Sequence, residues 1–347
     1  FCTRGRRSGK WWSSHDAPEA RSVAGGQASR EHDGTSAEGG LGDRHGGFRK
    51  LAYAEWGPEK AEHTVLCVHG VSRTGRDFDV LASALAAEGV RVVAPDLPGR
   101  GRSEWLAKPA HYTDRAYTGA LSTLIARLDV EAVDWIGTSL GGHIGMLMAS
   151  EHQTPIRKLV LNDFGARVSA SALRRIGAYL GKRWRFASVE DLEAHLREIH
   201  EPFGNLTDAQ WRHLAKYSAA PDPAGGVRFH FDPAIGMRFG IPIYLDVVLW
   251  QLWDRIECPV LILRGEDSDL LSETTTQAML DRGPAAKAGL VSVVDVPDCG
   301  HAPALMEASQ IATIRDFLFP AKPRAAGRAR ASTAAARAGR SNPASTP

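Results

Sequence analysis

Apolar residues along the first half of the chain fall into short continuous runs separated by amphipathic stretches. The runs lack the polar alternation of a half-exposed strand, so each is typical of a strand buried on both faces. They lie at 63–70, 90–96, 132–137 and 156–163, with helical patterns at 78–89, 114–128 and 140–150 between them. Regular alternation of strand and helix predicts an α/β fold with a mostly parallel sheet and right-handed crossovers.

This alternation stops after residue 163 and resumes near residue 257. Residues 164–256 are predicted to be mainly helical, and the clearest helix lies at 188–204 behind a cap formed by Ser188 and Asp191. Two strands (258–266 and 290–301) and two helices (near 272–281 and 304–318) then complete the pattern. We therefore expect 48–163 and 257–320 to form one core domain, with 164–256 inserted as a helical cap over the carboxyl edge of the sheet.

The two ends of the chain show no apolar periodicity. Residues 1–47 are rich in Gly, Ser and Arg, and residues 321–347 carry six basic residues and no acidic one. We expect a disordered N-terminal extension and a disordered basic tail. Without these ends, the net charge of +2 for the whole chain becomes −5 for residues 48–320, so no nucleic-acid partner is expected.

The four cysteines are scattered and show no paired spacing, which disfavours a disulfide framework or a zinc site and favours a reducing compartment. No apolar run reaches the roughly 18–20 residues of a membrane span. We expect a cytoplasmic protein that does not bind membranes and needs no cofactor; the sequence does not indicate its oligomeric state.

Ser139 stands in the segment Gly137-Thr138-Ser139-Leu140-Gly141, between a predicted strand and a predicted helix. In this G-x-S-x-G context a very tight turn raises the serine above the sheet, and side chains two residues to either side would collide. The hydroxyl then lies at a helix N-terminus, where the helix dipole favours developing negative charge. Ser139 is thus the candidate nucleophile.

A serine hydroxyl needs an adjacent base. His301, in the loop that follows the last predicted strand, can reach back over Ser139 and is the candidate base. His69 is interpreted as a loop-ordering residue, and His143, one turn into the helix, as a packing or surface residue.

Five segments in this order resemble the landmarks of the α/β-hydrolase superfamily. They are "HG" at 69–70, "PDLPGRGRS" at 95–103, "GTSLGG" at 137–142, "LRGEDSD" at 263–269 and "CGHAP" at 299–303. The resemblance covers residues 48–320. It implies that Ser139 attacks a carbonyl group, that His301 shuttles the proton, and that the backbone N–H groups of Val71 and Leu140 form the oxyanion hole.

The resemblance leaves two candidates for the acid of the triad. In most of the family the acid follows the strand after the insertion, as G-x-x-D; here Ser268 occupies that slot and the nearest acid is Asp269, one position later. In one branch the acid follows the strand after the nucleophile helix, where this chain has Asp163, with Ala166 in place of the usual proline. We favour Asp163, because it falls in register without a shift.

A serine nucleophile disfavours the dehalogenases and epoxide hydrolases of this fold, which use aspartate. The main hypothesis is a serine hydrolase that cleaves a small carboxylic ester, with C–C bond (diketone) or amide hydrolysis as the alternative. A cofactor-free oxygenase or peroxidase and a slow ligand sensor remain further alternatives. The aromatic insertion suits an apolar or aromatic small-molecule substrate, whose carboxylate, if it has one, could be held by Arg183, Arg185 or Arg228.

Overall fold

A central sheet of eight strands organises the molecule, which we describe from a computed structural model that covers residues 30–37, 48–239 and 243–320. The strands of this sheet are β1 (Arg30–Ala37), β2 (Phe48–Trp56), β3 (Thr64–Val68), β4 (Arg91–Pro95), β5 (Val133–Thr138), β6 (Ile156–Asn162), β12 (Val260–Gly265) and β13 (Val291–Val296). Their order across the sheet is β1-β2-β4-β3-β5-β6-β12-β13. β2 runs antiparallel to both of its neighbours, and the other pairs are parallel. The predicted α/β fold with a mostly parallel sheet is therefore confirmed.

Helices cover both faces of this sheet. Those outside the insertion are α1 (Asp79–Ala87), α2 (Asp114–Arg127), α3 (Leu140–Ala149), α8 (Glu273–Asp281), α9 (Pro284–Lys287) and α10 (Ala308–Leu318). Alternate residues of β3 enter opposite cores: Val65 and Cys67 pack with α1 and α10, whereas Leu66 and Val68 pack with α2 and α3. A strand buried on both faces needs apolar residues at every position, which explains the continuous apolar runs.

The first strand lies inside the segment for which the sequence predicts no regular structure. β1 pairs with β2 along its full length, from Arg30 opposite Glu55 to Ala37 opposite Phe48. The prediction of disorder is therefore wrong for 30–37, and the sheet begins before residue 48. β1 is an edge strand, and an edge strand held by backbone hydrogen bonds needs no apolar pattern, so periodicity does not reveal it. The other residues predicted to be disordered lie outside the described residues; they are 1–29, 38–47 and 321–347.

The insertion between β6 and β12 contains more than helices. Its helices are α4 (Ala170–Leu180), α5 (Val189–Ile199), α6 (Asp208–Ser218) and the short α7 (Trp250–Trp253). Its strands are β7 (Arg167–Val168), β8 (Arg185–Phe186), β9 (Ala219–Pro221), β10 (Val227–Phe229) and β11 (Val247–Val248). They form a sheet β8-β10-β9 and a pair β11-β7, and strands of two or three residues are too short to show a period in the sequence.

The predicted cap of α5 is present, because the Ser188 hydroxyl accepts from the Asp191 N–H at 3.1 Å. The helix ends at Ile199, earlier than predicted, and a short 3₁₀ turn that contains Pro202 follows it. Proline lacks the N–H that would continue the helical ladder.

The turn between β5 and α3 is tight and strained. Ser139 has φ 52° and ψ −110°, a conformation that side chains rarely adopt. A Cβ atom on Gly137 would overlap the backbone of Gly141, and one on Gly141 would overlap the carbonyl group of Val68. The two glycines are thus required by close backbone packing, as the G-x-S-x-G spacing predicts.

Two buried histidines hold the loop after β4. His69 donates from Nδ1 to the Gly70 carbonyl (2.7 Å) and accepts from the Leu97 N–H at Nε2 (2.9 Å), as its loop-ordering interpretation predicts. His230, from the insertion, accepts from the Gly101 N–H at Nδ1 (2.9 Å). Burial lowers the pKa of His69 well below its ordinary value and lowers the pKa of His230 to about 3. Both rings are therefore neutral acceptors in the folded protein.

We predict that Gly141→Ala destabilises the protein by about 1–3 kcal/mol, because the added methyl group must displace the backbone of β3. Gly119→Ala is the matched control, since a Cβ atom there meets nothing within 4 Å and the residue lies in α2. The control should be neutral or stabilising by up to about 1 kcal/mol. Urea unfolding followed by circular dichroism measures both; equal stabilities for the two variants would contradict the packing argument.

We also predict that stability falls as the pH drops from about 7 to 5. Unfolded histidines bind protons below about pH 6.5, whereas His69 and His230 stay neutral in the folded state, so the unfolded state gains protons first. Each of the two histidines contributes a loss of up to about 1.4 kcal/mol per pH unit. His230→Asn, whose side-chain oxygen can accept from Gly101, should flatten the dependence of the unfolding free energy on pH. An unchanged slope in this variant would count against the assignment.

Candidate functional site

Ser139 lies at the carboxyl end of β5 and at the N-terminus of α3, where ligands of open parallel sheets bind. Its backbone N–H donates to the Asn162 carbonyl oxygen (3.0 Å), which fixes the turn against the end of β6. The serine side chain is therefore presented at the sheet edge by a rigid backbone.

Three of the predicted residues form one chain of hydrogen bonds. Ser139 Oγ lies 2.9 Å from His301 Nε2, and His301 Nδ1 lies 2.6 Å from Asp163 Oδ2. A carboxylate only accepts, so Nδ1 carries the hydrogen and Nε2 is free to accept the Ser139 proton. This is the protonation pattern that a general base requires.

Asp163 is fully buried, at 0% exposure, and its carboxylate is held on several sides. Oδ1 accepts from the Gly265 N–H (2.9 Å), and Oδ2 accepts from the Ser268 hydroxyl (2.6 Å) as well as from His301. Ser268, which stands where most of the family has its acid, thus supports the acid on the neighbouring strand.

Asp269 lies elsewhere. Its carboxylate forms a two-pronged ion pair with Arg175 of α4, with both N···O distances at 2.7 Å, and its side chain is 43% exposed. Burial raises the pKa of Asp269, but the hydrogen bonds from Arg175 outweigh it and hold that pKa below its ordinary value. The structure brings Asp163, and not Asp269, to His301.

Asn162, which the sequence analysis does not single out, connects the end of β5 with the histidine loop. Its Nδ2 donates to Thr138 Oγ1 (3.0 Å) and to the Pro303 carbonyl (2.8 Å). The residue is fully buried, and its two partners lie in the segments that carry Ser139 and His301. An asparagine at the end of a strand gives no signal of such a role in one sequence.

A cavity of about 370 Å³ opens at Ser139. Val71 and Leu140, the predicted oxyanion residues, line it beside the serine. Its apolar wall comes mostly from the insertion: Phe164, Val168, Leu173, Ile176, Ile235, Phe239, Ile243, Val247 and Leu249. The insertion therefore covers the site and gives it an apolar lining.

Arginines of the insertion do not reach this cavity. Arg183, Arg185 and Arg228 line a different cavity of about 440 Å³, together with Trp105 and Trp184. The structure therefore gives no support to the expectation that they hold a carboxylate of a substrate bound at Ser139. The arginine that does line the Ser139 cavity is Arg100, which the sequence analysis does not single out.

His143, interpreted from the sequence as a packing or surface residue, also lines the cavity. Its Nε2 lies 3.2 Å from Asp114 Oδ2 of α2, and its ring packs against Phe164. Its position one turn after Ser139 faces it towards the ligand space rather than the solvent.

Within the described ranges, no helix has the length and apolar character needed to cross a membrane.

Comparison with known proteins identifies the family. Residues 65–313 match the model of the alpha/beta hydrolase family. Over 279 residues the chain is 45% identical to a 3-hydroxybutyrate-oligomer hydrolase of Cupriavidus necator, an alignment that covers 78% of this chain and 93% of the relative.

Solved structures give the same picture. A provisionally assigned hydrolase from Rickettsia typhi superposes with a TM-score of 0.74 at 31% identity, covering 84% of this chain and 98% of the other. An alpha/beta hydrolase from Novosphingobium aromaticivorans superposes with a TM-score of 0.72 at 32% identity, covering 85% and 99%. The chain is a hydrolase that belongs to the alpha/beta hydrolase family.

Proposed function

We propose that the protein is a serine hydrolase that cleaves esters of short 3-hydroxy acid oligomers through an acyl-enzyme on Ser139. The observation that carries the proposal is the hydrogen-bond chain from Ser139 through His301 to Asp163 at the floor of a largely apolar cavity. The substrate class is taken from the Cupriavidus necator relative, which is named for the hydrolysis of 3-hydroxybutyrate oligomers.

In the first half-reaction Ser139 Oγ forms a bond to the ester carbonyl carbon while its proton passes to His301 Nε2. The oxyanion that develops on the carbonyl oxygen accepts from the N–H groups of Val71 and Leu140. The intermediate then expels the alcohol, which takes the proton from His301 as the C–O bond breaks. Asp163 holds the ring in the required tautomer and stabilises the imidazolium ion.

In the second half-reaction water replaces the alcohol. His301 takes a proton from the water, the hydroxyl oxygen bonds to the acyl carbon, and Ser139 leaves with the proton returned by His301. The products are a carboxylic acid and an alcohol, which for an oligomer are two shorter hydroxy acids. No cofactor is needed for this sequence of steps.

The apolar wall fits an aliphatic chain, which agrees with the expected apolar substrate. The expected cytoplasmic location also stays part of this proposal; it is supported by the three cysteines of the described residues (Cys67, Cys258 and Cys299), which are free.

We predict that a fluorophosphonate probe forms one covalent adduct, on Ser139, because such probes react with a serine that is already activated. Intact-mass measurement and peptide mapping locate the adduct. Labelling should disappear in Ser139→Ala, slow severely in His301→Ala, and persist in Ser171→Ala, which removes a serine of α4 away from the chain of hydrogen bonds. A folded wild-type protein that stays unlabelled would refute the proposed nucleophile.

We predict a large difference between the two aspartates. Asp163→Asn should lower kcat for p-nitrophenyl butyrate by about 10³–10⁴-fold, because the amide allows the wrong histidine tautomer while keeping the side-chain shape. Asp269→Asn, which loses an ion pair with Arg175, should change kcat by less than about tenfold. Thermal melts of both variants control for folding. The reverse order of the two effects would assign the acid to Asp269.

A further inference from the structure

Arg100 is a fully buried arginine in the wall of the Ser139 cavity, with one guanidinium nitrogen left over. Nε donates to the Val71 carbonyl (2.9 Å), and Nη1 donates to the Pro98 carbonyl (2.8 Å) and to the Tyr117 hydroxyl (2.7 Å). Nη2 is buried and has no hydrogen-bond partner. All three acceptors are neutral, and no aspartate or glutamate of the described residues forms an ion pair with Arg100. A carboxylate does line the same cavity, that of Asp114, but it pairs with His143.

Tyr117 has a spare donor at the same place. Because arginine can only donate, the Tyr117 oxygen accepts from Arg100 and its own hydrogen remains available. Among the described residues no acceptor for that hydrogen is seen, and Tyr117 also lines the cavity.

A third unsatisfied atom belongs to His143. Asp114 and Tyr117 are three residues apart on α2 and so lie on one helix face. Asp114 Oδ2 lies 3.2 Å from His143 Nε2, and Asp114, Tyr117 and His143 all line the cavity. His143 Nδ1 is buried without a partner. Because Nε2 donates to the Asp114 carboxylate, Nδ1 of the neutral ring is an acceptor and does not suit an anion. We therefore call Arg100 and Tyr117 alone the polar wall.

A buried charge without a counter-ion is costly, and buried donors are normally paired. The missing partner of the polar wall must be negative, must accept several hydrogen bonds at once, and must reach the wall from the cavity. A carboxylate has two oxygens that suit an arginine nitrogen and a hydroxyl together. We propose that the polar wall is a subsite for a free carboxylate of the substrate.

This inference rests on the proposed function and makes it more specific. A 3-hydroxy acid oligomer has one free carboxylate, at one chain end, while its remaining atoms are aliphatic carbons and ester groups. The polar wall would hold that end, and the apolar wall would hold the chain across Ser139. The enzyme would then recognise the acid end of a short chain rather than cut within a long one.

Binding tests the subsite without turnover. In Ser139→Ala, calorimetry compares the free-acid dimer of 3-hydroxybutyrate with its methyl ester, which lacks the charge. We expect the free acid to bind at least about tenfold more tightly, as for a hydrogen-bonded charge. Adding Tyr117→Phe, or Arg100→Lys, which keeps the charge but removes Nη2, should bring the ratio of the two dissociation constants close to one. Adding Arg102→Gln, which removes an exposed charge two residues from Arg100, should leave the ratio unchanged.

Each result has one meaning. The subsite is overturned if the free acid and the methyl ester have nearly equal dissociation constants in Ser139→Ala itself. It is also overturned if the ratio of these constants stays the same after both Tyr117→Phe and Arg100→Lys. Equal weakening of both ligands in these variants means that the residues only shape the cavity, which also overturns it. Wild-type turnover of the neutral ester p-nitrophenyl butyrate tests the proposed function separately: its absence refutes the esterase, whereas the binding ratio still decides the subsite.

Discussion

The buried carboxylate of Asp163 is the point on which the site depends. It follows β6, has a positive φ of 51°, and accepts from three donors in two distant segments. Gly265 and Ser268 lie at the end of β12 and just after it, and His301 lies in the loop after β13. A buried carboxylate needs such donors to offset the loss of water. Because the donors come from two segments that are distant from Asp163 in sequence, satisfying this one group also connects the ends of β6 and β12 with the histidine loop. The hydrogen bonds that stabilise the buried carboxylate are therefore the same ones that fix the geometry of the site.

Asn162 extends this arrangement towards the serine. Its side chain ties the end of β5 to the histidine loop, and its carbonyl receives the N–H of Ser139. Two successive residues at the end of β6 thus contact both partners of the Ser139–His301 hydrogen bond. The strained turn at Ser139 can persist because its surroundings determine it from several directions.

The sequence predicts the residues whose role depends on local geometry. The turn at Ser139 needs glycines at fixed positions, and His301 follows a recognisable strand, so one-dimensional patterns suffice for both. The strands buried on both faces are predicted for the same reason. By contrast, β1 is held by backbone pairing at an edge, and the short strands of the insertion have no period, so no pattern of side chains could reveal them.

Electrostatic roles are harder to predict, because they depend on what lies opposite a charge in three dimensions. Asp163 and Asp269 differ little as sequence positions, yet one is buried against His301 and the other is paired with Arg175 at the surface. Arg183, Arg185 and Arg228 stand among aromatic residues, which suggests a binding role, but they line a separate cavity.

Arg100 lies in a glycine-rich turn that the sequence presents as a landmark of fold alone. In the structure that turn places an arginine without an ion-pair partner against the Val71 carbonyl, and both residues line the Ser139 cavity. A charge at this position can act either on the developing oxyanion or on a charged group of the substrate. These two actions differ in one respect: stabilisation of the oxyanion benefits every ester equally, whereas a carboxylate subsite benefits the acid alone.

The three neutral acceptors that already hold Nε and Nη1 position the guanidinium rigidly. A rigid donor next to an apolar wall is suited to binding one end of an aliphatic chain. A difference in affinity between esters with and without a free carboxylate is therefore the most direct consequence of placing Arg100 beside an apolar wall.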